Sequence, residues 1–207
     1  VGMNYYGADG GGLVLYKGGG DGTFLPAIEV GKSQPLAPIN VDSITAPVDF
    51  NGDGKLDIVF THHSSYFGVT VGLNRGDGNF DLRTYQNATP PAVDGNINVE
   101  ELSALVGDYN RDGMLDLAIS TTHRAGGQAK AGLTLLMADS PGHFGAPTDF
   151  NYSGTGGNSP FTGINYAADF NNDGNVDLFA VAFQNSHKIR FGNGDGNIWF
   201  KRIEHTW

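Results

Sequence analysis

The chain has no cysteine among its 207 residues. That excludes disulfides, thiolate metal sites and covalent haem, and it leaves the compartment open, because secreted bacterial proteins also commonly lack cysteine. No run of about 18 apolar residues occurs, so no membrane-spanning helix is expected. Charged residues are scarce at 16%, and no segment carries a helical period of apolar positions. Lys and Arg number 12 against 22 Asp and Glu, and the formal net charge of −10 argues against nucleic acid as a partner. The sequence begins at Val1 with neither an initiator Met nor a signal-like segment, which reads as a mature or partial chain. Glycine, in contrast, is abundant at 32 residues, a composition suited to many short strands joined by tight turns.

One nine-residue pattern, D-x-N-x-D-G-x-x-D, occurs three times and each time runs into an apolar segment: Asp49–Asp57, Asp108–Asp116 and Asp169–Asp177. The starts lie 59 and 61 residues apart, a period that signals a stacked or radial repeat architecture. These loops hold nine of the 22 acidic residues. Three carboxylates confined to one short loop repel one another, and one dication per loop would bring the net charge from −10 to −4.

Oxygen-bearing side chains at positions 1, 3, 5 and 9, with glycine at position 6, suit a loop wrapped around a hard cation. The candidate ligands are Asp49, Asn51, Asp53, the Lys55 carbonyl and Asp57; Asp108, Asn110, Asp112, the Met114 carbonyl and Asp116; and Asp169, Asn171, Asp173, the Asn175 carbonyl and Asp177. Oxygen ligation without His or Cys selects calcium over zinc or copper. Magnesium is disfavoured by its demand for tight octahedral geometry. About three calcium ions are expected, one per complete repeat, in a structural role. Asp-x-Asn-x-Asp-Gly is also good turn chemistry on its own; three copies in register, each keeping the ninth Asp, favour the cation.

Aligning the copies predicts a four-stranded unit. A first strand (Ile44–Val48, Leu102–Val106, Ile164–Ala168) leads into the loop. A second (Ile58–Thr61, Leu117–Thr121, Leu178–Phe183) and a third (Val69–Leu73, Leu133–Met137, Lys188–Phe191) follow. A glycine turn then opens a fourth strand, at Gly76–Phe80, Ser140–Phe144 and Gly194–Ile198. The chain start fits the same frame from its second strand, Val1–Tyr5, through Leu13–Tyr16 and the turn Gly20–Phe24. An all-β propeller of four-stranded antiparallel blades is expected, with three complete blades (about 41–86, 99–150 and 162–207) and three strands of another (1–30).

In these loops and glycine turns the whole chain resembles the FG-GAP/VCBS repeat family, which includes the integrin alpha-subunit head and many bacterial surface proteins. The resemblance implies a calcium-stabilised extracellular or cell-surface propeller of about seven blades. Fewer than four are supplied here, so further blades from the same or another chain are expected to close it. The resemblance also implies ligand binding on the face opposite the calcium loops, where adhesion proteins and lectin-like modules meet a glycan or a protein.

On that face the sequence places Tyr5, Tyr6, His62, His63, Tyr66, His123, Arg124, Asn185 and His187 in connections between second and third strands, side chains suited to sugar or peptide recognition. The four His residues share no register that would make a metal or acid–base site. Arg75-Gly76-Asp77 falls in a glycine turn, where hairpin geometry explains it. Asn87-Ala88-Thr89 and Asn151-Tyr152-Ser153 are glycosylation sequons. No nucleophile elbow, HExxH, phosphate loop or carboxylate pair outside the loops is present, so a non-enzymatic recognition role is favoured. The alternatives are a segment of a secreted lyase, dehydratase or hydrolase, and a purely structural assembly subunit.

Overall fold

A computed structural model of the chain describes residues 2–4, 12–30, 40–45, 47–63, 67–86, 98–125, 128–151, 161–182, 187–196 and 198–200. Among the described residues every regular element is a strand and none is a helix. The first sheet contains β1 (Gly2–Asn4), β2 (Gly12–Leu15) and β3 (Ile28–Val30). The second contains β4 (Asn40–Ile44), β5 (Ile58–His63), β6 (Phe67–Asn74) and β7 (Phe80–Gln86). The third begins with β8 (Asn98–Gly107), β9 (Asp116–Ala125) and β10 (Gln128–Leu136). A small hairpin of β11 (Ala138–Ser140) and β12 (His143–Phe144) then intervenes before β13 (Thr148–Asn151), which pairs with β10. The fourth sheet contains β14 (Phe161–Ala168), β15 (Asp177–Ala182), β16 (His187–Gly192) and β17 (Ile198–Phe200).

All strand pairs are antiparallel and, apart from the β11–β12 hairpin set between β10 and β13, follow chain order, so each four-stranded sheet is a meander whose connections alternate between two edges. The nine-residue loops and the glycine turns therefore share one edge, and the β5–β6, β9–β10 and β15–β16 connections share the other. Several strands run longer than the sequence reading expects, whereas β4 ends at Ile44, where a strand over Ile44–Val48 is expected, and Val48 makes only an isolated bridge with Asp57. Ladder pairs His63 with Phe67 and Arg124 with Ala129 carry β5, β6, β9 and β10 well into segments read as loops.

Period-two alternation sends the side chains of each strand to opposite faces, and both faces of the inner sheets are buried. Val59 and Val71 of the second sheet join Leu117, Ile119 and Leu136 of the third in one core cluster. Ala118, Leu133 and Leu135, on the other face of the third sheet, meet Leu178 of the fourth. Ile58 and Phe60 meet Val30 of the first. The sheets thus stack in chain order, each with one face toward its predecessor and one toward its successor.

The glycine turns lock this stack. Gly78, Gly142 and Gly196 occupy the same turn position, and all have positive φ. A Cβ added there would meet the preceding unit: Ile28 and Lys17 at Gly78, Leu73 and Asn51 at Gly142, Met137 and Asn110 at Gly196. The Gly196 N–H also donates to the Tyr109 carbonyl at 3.2 Å, and the Phe144 N–H to the Tyr85 hydroxyl at 3.3 Å. At Gly142 an added Cβ would lie 3.0 Å from both Leu73 methyls. Gly20 has similar φ with open space around it. In urea titrations Gly20→Ala is expected to cost roughly 1–2 kcal/mol for the left-handed backbone alone. Gly142→Ala adds about 1–3 kcal/mol for forcing the sheets apart. Equal losses at the two positions would remove the locking role.

Candidate metal centre

Each nine-residue loop is built on the same hydrogen-bond scaffold. The first Asp accepts the N–H of position 5 on one oxygen and that of the position-6 glycine on the other. In the first loop Asp53 N and Gly54 N donate to Asp49 at 3.1 and 2.8 Å. In the second, Asp112 N and Gly113 N donate to Asp108 at 3.1 and 3.0 Å. In the third, Asp173 N and Gly174 N donate to Asp169 at 3.2 and 2.8 Å. Asn51, Asn110 and Asn171 also accept the position-5 N–H and pass an amide hydrogen to the position-5 carboxylate. That carboxylate receives the position-7 N–H, from Lys55, Met114 or Asn175.

Two positive-φ residues bend each loop. Position 6 is always glycine, with φ of 82°, 86° and 84° at Gly54, Gly113 and Gly174. Position 4 has the same conformation in Gly52, Arg111 and Asn172, a requirement that sequence reasoning missed because three residue types meet it.

The ninth Asp has a second task. Asp57, Asp116 and Asp177 are fully buried. One oxygen of each accepts the N–H of the position-2 aromatic: Phe50 at 2.9 Å, Tyr109 at 2.8 Å and Phe170 at 2.9 Å. The other accepts an N–H from the last residue of the third strand, Asn74 at 2.8 Å and Gly192 at 2.9 Å, or from just past it, Ala138 at 2.8 Å. Each of these carboxylates ties its loop to a strand two elements away.

Burial pushes the Asp57, Asp116 and Asp177 carboxyls up from the usual carboxylate range, and the two N–H donors partly hold them down. The charges of Asp53 and Asp49, Asp112 and Asp108, and Asp173 and Asp169 push them further up. Each loop therefore gathers three mutually repelling carboxylates. At the exposed mouth the Lys55 ammonium, 2.6 Å from Asp53, holds that carboxyl low. Asp173 is held low chiefly by the Asn171 amide, with Arg111 of the preceding loop adding to it.

Among the described residues no three carboxylates or imidazoles close on a common point. The donor set nevertheless fits a hard cation. Every side-chain ligand candidate is an oxygen, both oxygens of each ninth Asp retain lone-pair capacity beyond the one N–H bond each accepts, and a dication would relieve the repulsion at the ninth position. The residues that would hold it are the fifteen named from the sequence.

The proposed ligand face is only partly described. Tyr5, Tyr6, Tyr66 and Asn185 lie outside the described residues. His63 lies in β5, His123 and Arg124 in β9, and His187 in β16, all within ladders. His62 also lies in β5 and is buried. Its Nε2 is 3.1 Å from Thr70 Oγ1, which bonds Thr84 Oγ1 at 2.8 Å, so its ring serves a polar seam within the second sheet. Arg75-Gly76-Asp77 is folded into its hairpin: Arg75 pairs with Asp81, and Asp77 accepts the Asn79 N–H at 2.8 Å. Between the second and third units a shallow cleft is lined by Arg83, Tyr85, Asp139, Ser140 and His143, with Arg83 against the His143 ring.

No helix among the described residues is long and apolar enough to cross a membrane. No solved structure matches the chain. A T-cell immunomodulatory protein homolog of Plasmodium falciparum (isolate 3D7) is 35% identical over 99 residues, covering 45% of this chain and 13% of that protein. This chain thus spans a small part of that relative. A family model described as FG-GAP-like repeat matches residues 3–60 and 49–119. The two matches span more than half of the sequence and take in the first two cation-type loops. The chain belongs to the FG-GAP-like repeat family.

Proposed function

We propose that the chain is a calcium-stabilised segment of a β-propeller, with three complete blades and three strands of another, and that it serves recognition or adhesion outside the cell or at its surface. The observation that carries this reading is the threefold repetition of one loop scaffold, all-oxygen in its side-chain ligands and buried at its ninth Asp, along a single edge of the stacked sheets. Calcium, one ion per loop, would supply charge neutralisation and a crosslink between the loop mouth and its root. The chain supplies the rest: Asp49, Asp108 and Asp169 order the backbone, and Asp57, Asp116 and Asp177 anchor it to the sheet. The opposite edge is left for a glycan or protein ligand. The name of the Plasmodium falciparum relative, an immunomodulatory protein homolog, supports a protein-facing role over a reaction. Fold alone does not fix function, so the test is direct. Glycan and protein arrays probed with and without calcium are expected to return calcium-dependent binding on one of the two, and binding on neither overturns the recognition reading.

A further inference from the structure

The cations that stand beside the loops come from different places. The first loop supplies its own: Lys55, at position 7, sets its Nζ 2.6 Å from Asp53 Oδ2. Its stem lies over the Gly76 turn, where an added Cβ would fall 3.1 Å from Lys55 Cδ and Cε. In the third loop position 7 is the neutral Asn175, and the cation is lent by the loop before it. Arg111, at position 4 of the second loop, reaches across to the fourth unit. A Cβ added at Gly174 would lie 4.0 Å from its Nη2, and one at Gly194 would lie 2.6 Å from its Cδ. Gly194 holds the place in its turn that Gly76 holds in the second unit, so the two stems cover equivalent turns from different origins. The second loop has neither arrangement. Its position 7 is Met114, which packs on the core between the second and third units, and the loop before it offers Gly52 at position 4.

The backbone at Arg111 is also unusual. Among the described residues only Arg111 and Asn172 combine a side chain with positive φ, at 61° and 60°. Glycine and Asn take that conformation readily, whereas an arginine there bears a steric cost. The residue type that the backbone disfavours is the one whose side chain spans to the next loop. Asp173, the position-5 ligand candidate of that loop, is held low first by the Asn171 amide and in part by the Arg111 charge. Both Arg111 and Asp173 are exposed, so the guanidinium is free to swing on its stem. It stays charged throughout the pH range of a folded protein. It can yield its place only by moving, never by losing a proton.

We propose, resting on the calcium reading above, that Arg111 is a tethered counter-cation for the third loop, standing at its mouth and competing there with calcium. The second loop, which has no such competitor, fills first. Its ion engages Asn110 and Asp112, on either side of Arg111, and so fixes the backbone from which the competitor hangs. Calcium entering the third loop then displaces the guanidinium from Asp173 and the stem from the Gly194 turn. The affinity of one loop is thus set by a residue of another.

The position-6 glycine amides, each bonded to the first Asp of its own loop, report the loops separately in proton–nitrogen correlation spectra of the full chain. Calcium added stepwise to chelator-treated protein is expected to shift Gly113 at a concentration about three- to tenfold below that which shifts Gly174, the range for one exposed unit charge acting on a dication. Arg111→Asn removes the charge and keeps the left-handed backbone, as Asn172 does. It lowers the Gly174 midpoint by that factor and moves the Gly113 midpoint less. Arg111→Lys retains a cation and stays near the wild type. Raising potassium chloride from about 0.05 to about 0.5 M narrows the gap between wild type and Arg111→Asn, because an exposed charge is screened. Equal Gly174 midpoints in those two proteins, a third loop that fills before the second, or a gap that salt leaves untouched overturns the proposal while calcium binding stands. Three glycine amides that ignore calcium altogether overturn the calcium reading and the proposal with it.

Discussion

Excess chelator lowers the melting temperature of this protein by roughly 15–30 °C, if each of three loops contributes about 2.7 kcal/mol at a calcium concentration one hundred times its dissociation constant and each kcal/mol shifts a domain of this size by about 2–4 °C. The shift is large because the stack is a single series. The first loop lies against the turn of the third unit through Asn51 and Gly142, and the second against that of the fourth through Asn110 and Gly196. Calorimetry in calcium and in chelator measures it. Re-addition of calcium restores the transition, and magnesium at the same concentration restores less of it. An unchanged melting curve in chelator removes the calcium reading and leaves the loops as turns held by their own hydrogen bonds.

Asp116→Ala destabilises the chain by about 2–6 kcal/mol even in chelator, because two buried N–H groups lose their acceptor and each costs roughly 1–3 kcal/mol when left unmade. The donors are those of Tyr109 and Ala138, both at 2.8 Å, and both residues are buried. Asp112→Asn is the contrasting variant. Asp112 is exposed, and its Oδ1 accepts the Met114 N–H, a bond that an amide oxygen keeps, while the exposed bond from the Asn110 amide to its Oδ2 passes to water. Its loss in chelator is expected to stay below about 1 kcal/mol, as for other surface changes, with the larger deficit appearing when calcium is present. Urea unfolding of both variants with and without calcium separates the anchor from the ligand. A small effect of Asp116→Ala in chelator would show that its hydrogen bonds are replaced by water.

These expectations divide along the line between what a contiguous pattern displays and what it hides. The loop scaffold was legible because its donors and acceptors fall within nine residues and repeat three times. Most glycine turns were legible because Asp-Gly selects hairpin geometry, and Ser140–Phe144, which lacks that dipeptide, was legible from its place in the repeat. The second anchor of the ninth Asp was not, because Asn74, Ala138 and Gly192 contribute only backbone N–H groups and share no side-chain signal. His62 and His63 were read as loop residues on polarity. In the sheet they continue the β5–β6 ladder opposite Gly68 and Phe67, where the buried His62 is matched to Thr70 rather than to solvent. The position-2 aromatic could have been read from the sequence. Phe50, Tyr109 and Phe170 stand at one place in the repeat, and an aromatic kept beside acidic ligands points to a packing surface.

The single hydrogen bond from Gly196 to the Tyr109 carbonyl gives the stack a polarity. Each turn grips the unit behind it, and the gripped residue sits next to the buried Asp that roots its own loop. A unit that loses its successor keeps its anchor but loses its clasp, whereas one that loses its predecessor leaves its turn without a seat. The pair of units joined through Phe50, Tyr85 and Phe144 is gripped from both sides, and it is the last in this stretch to exchange its amide hydrogens.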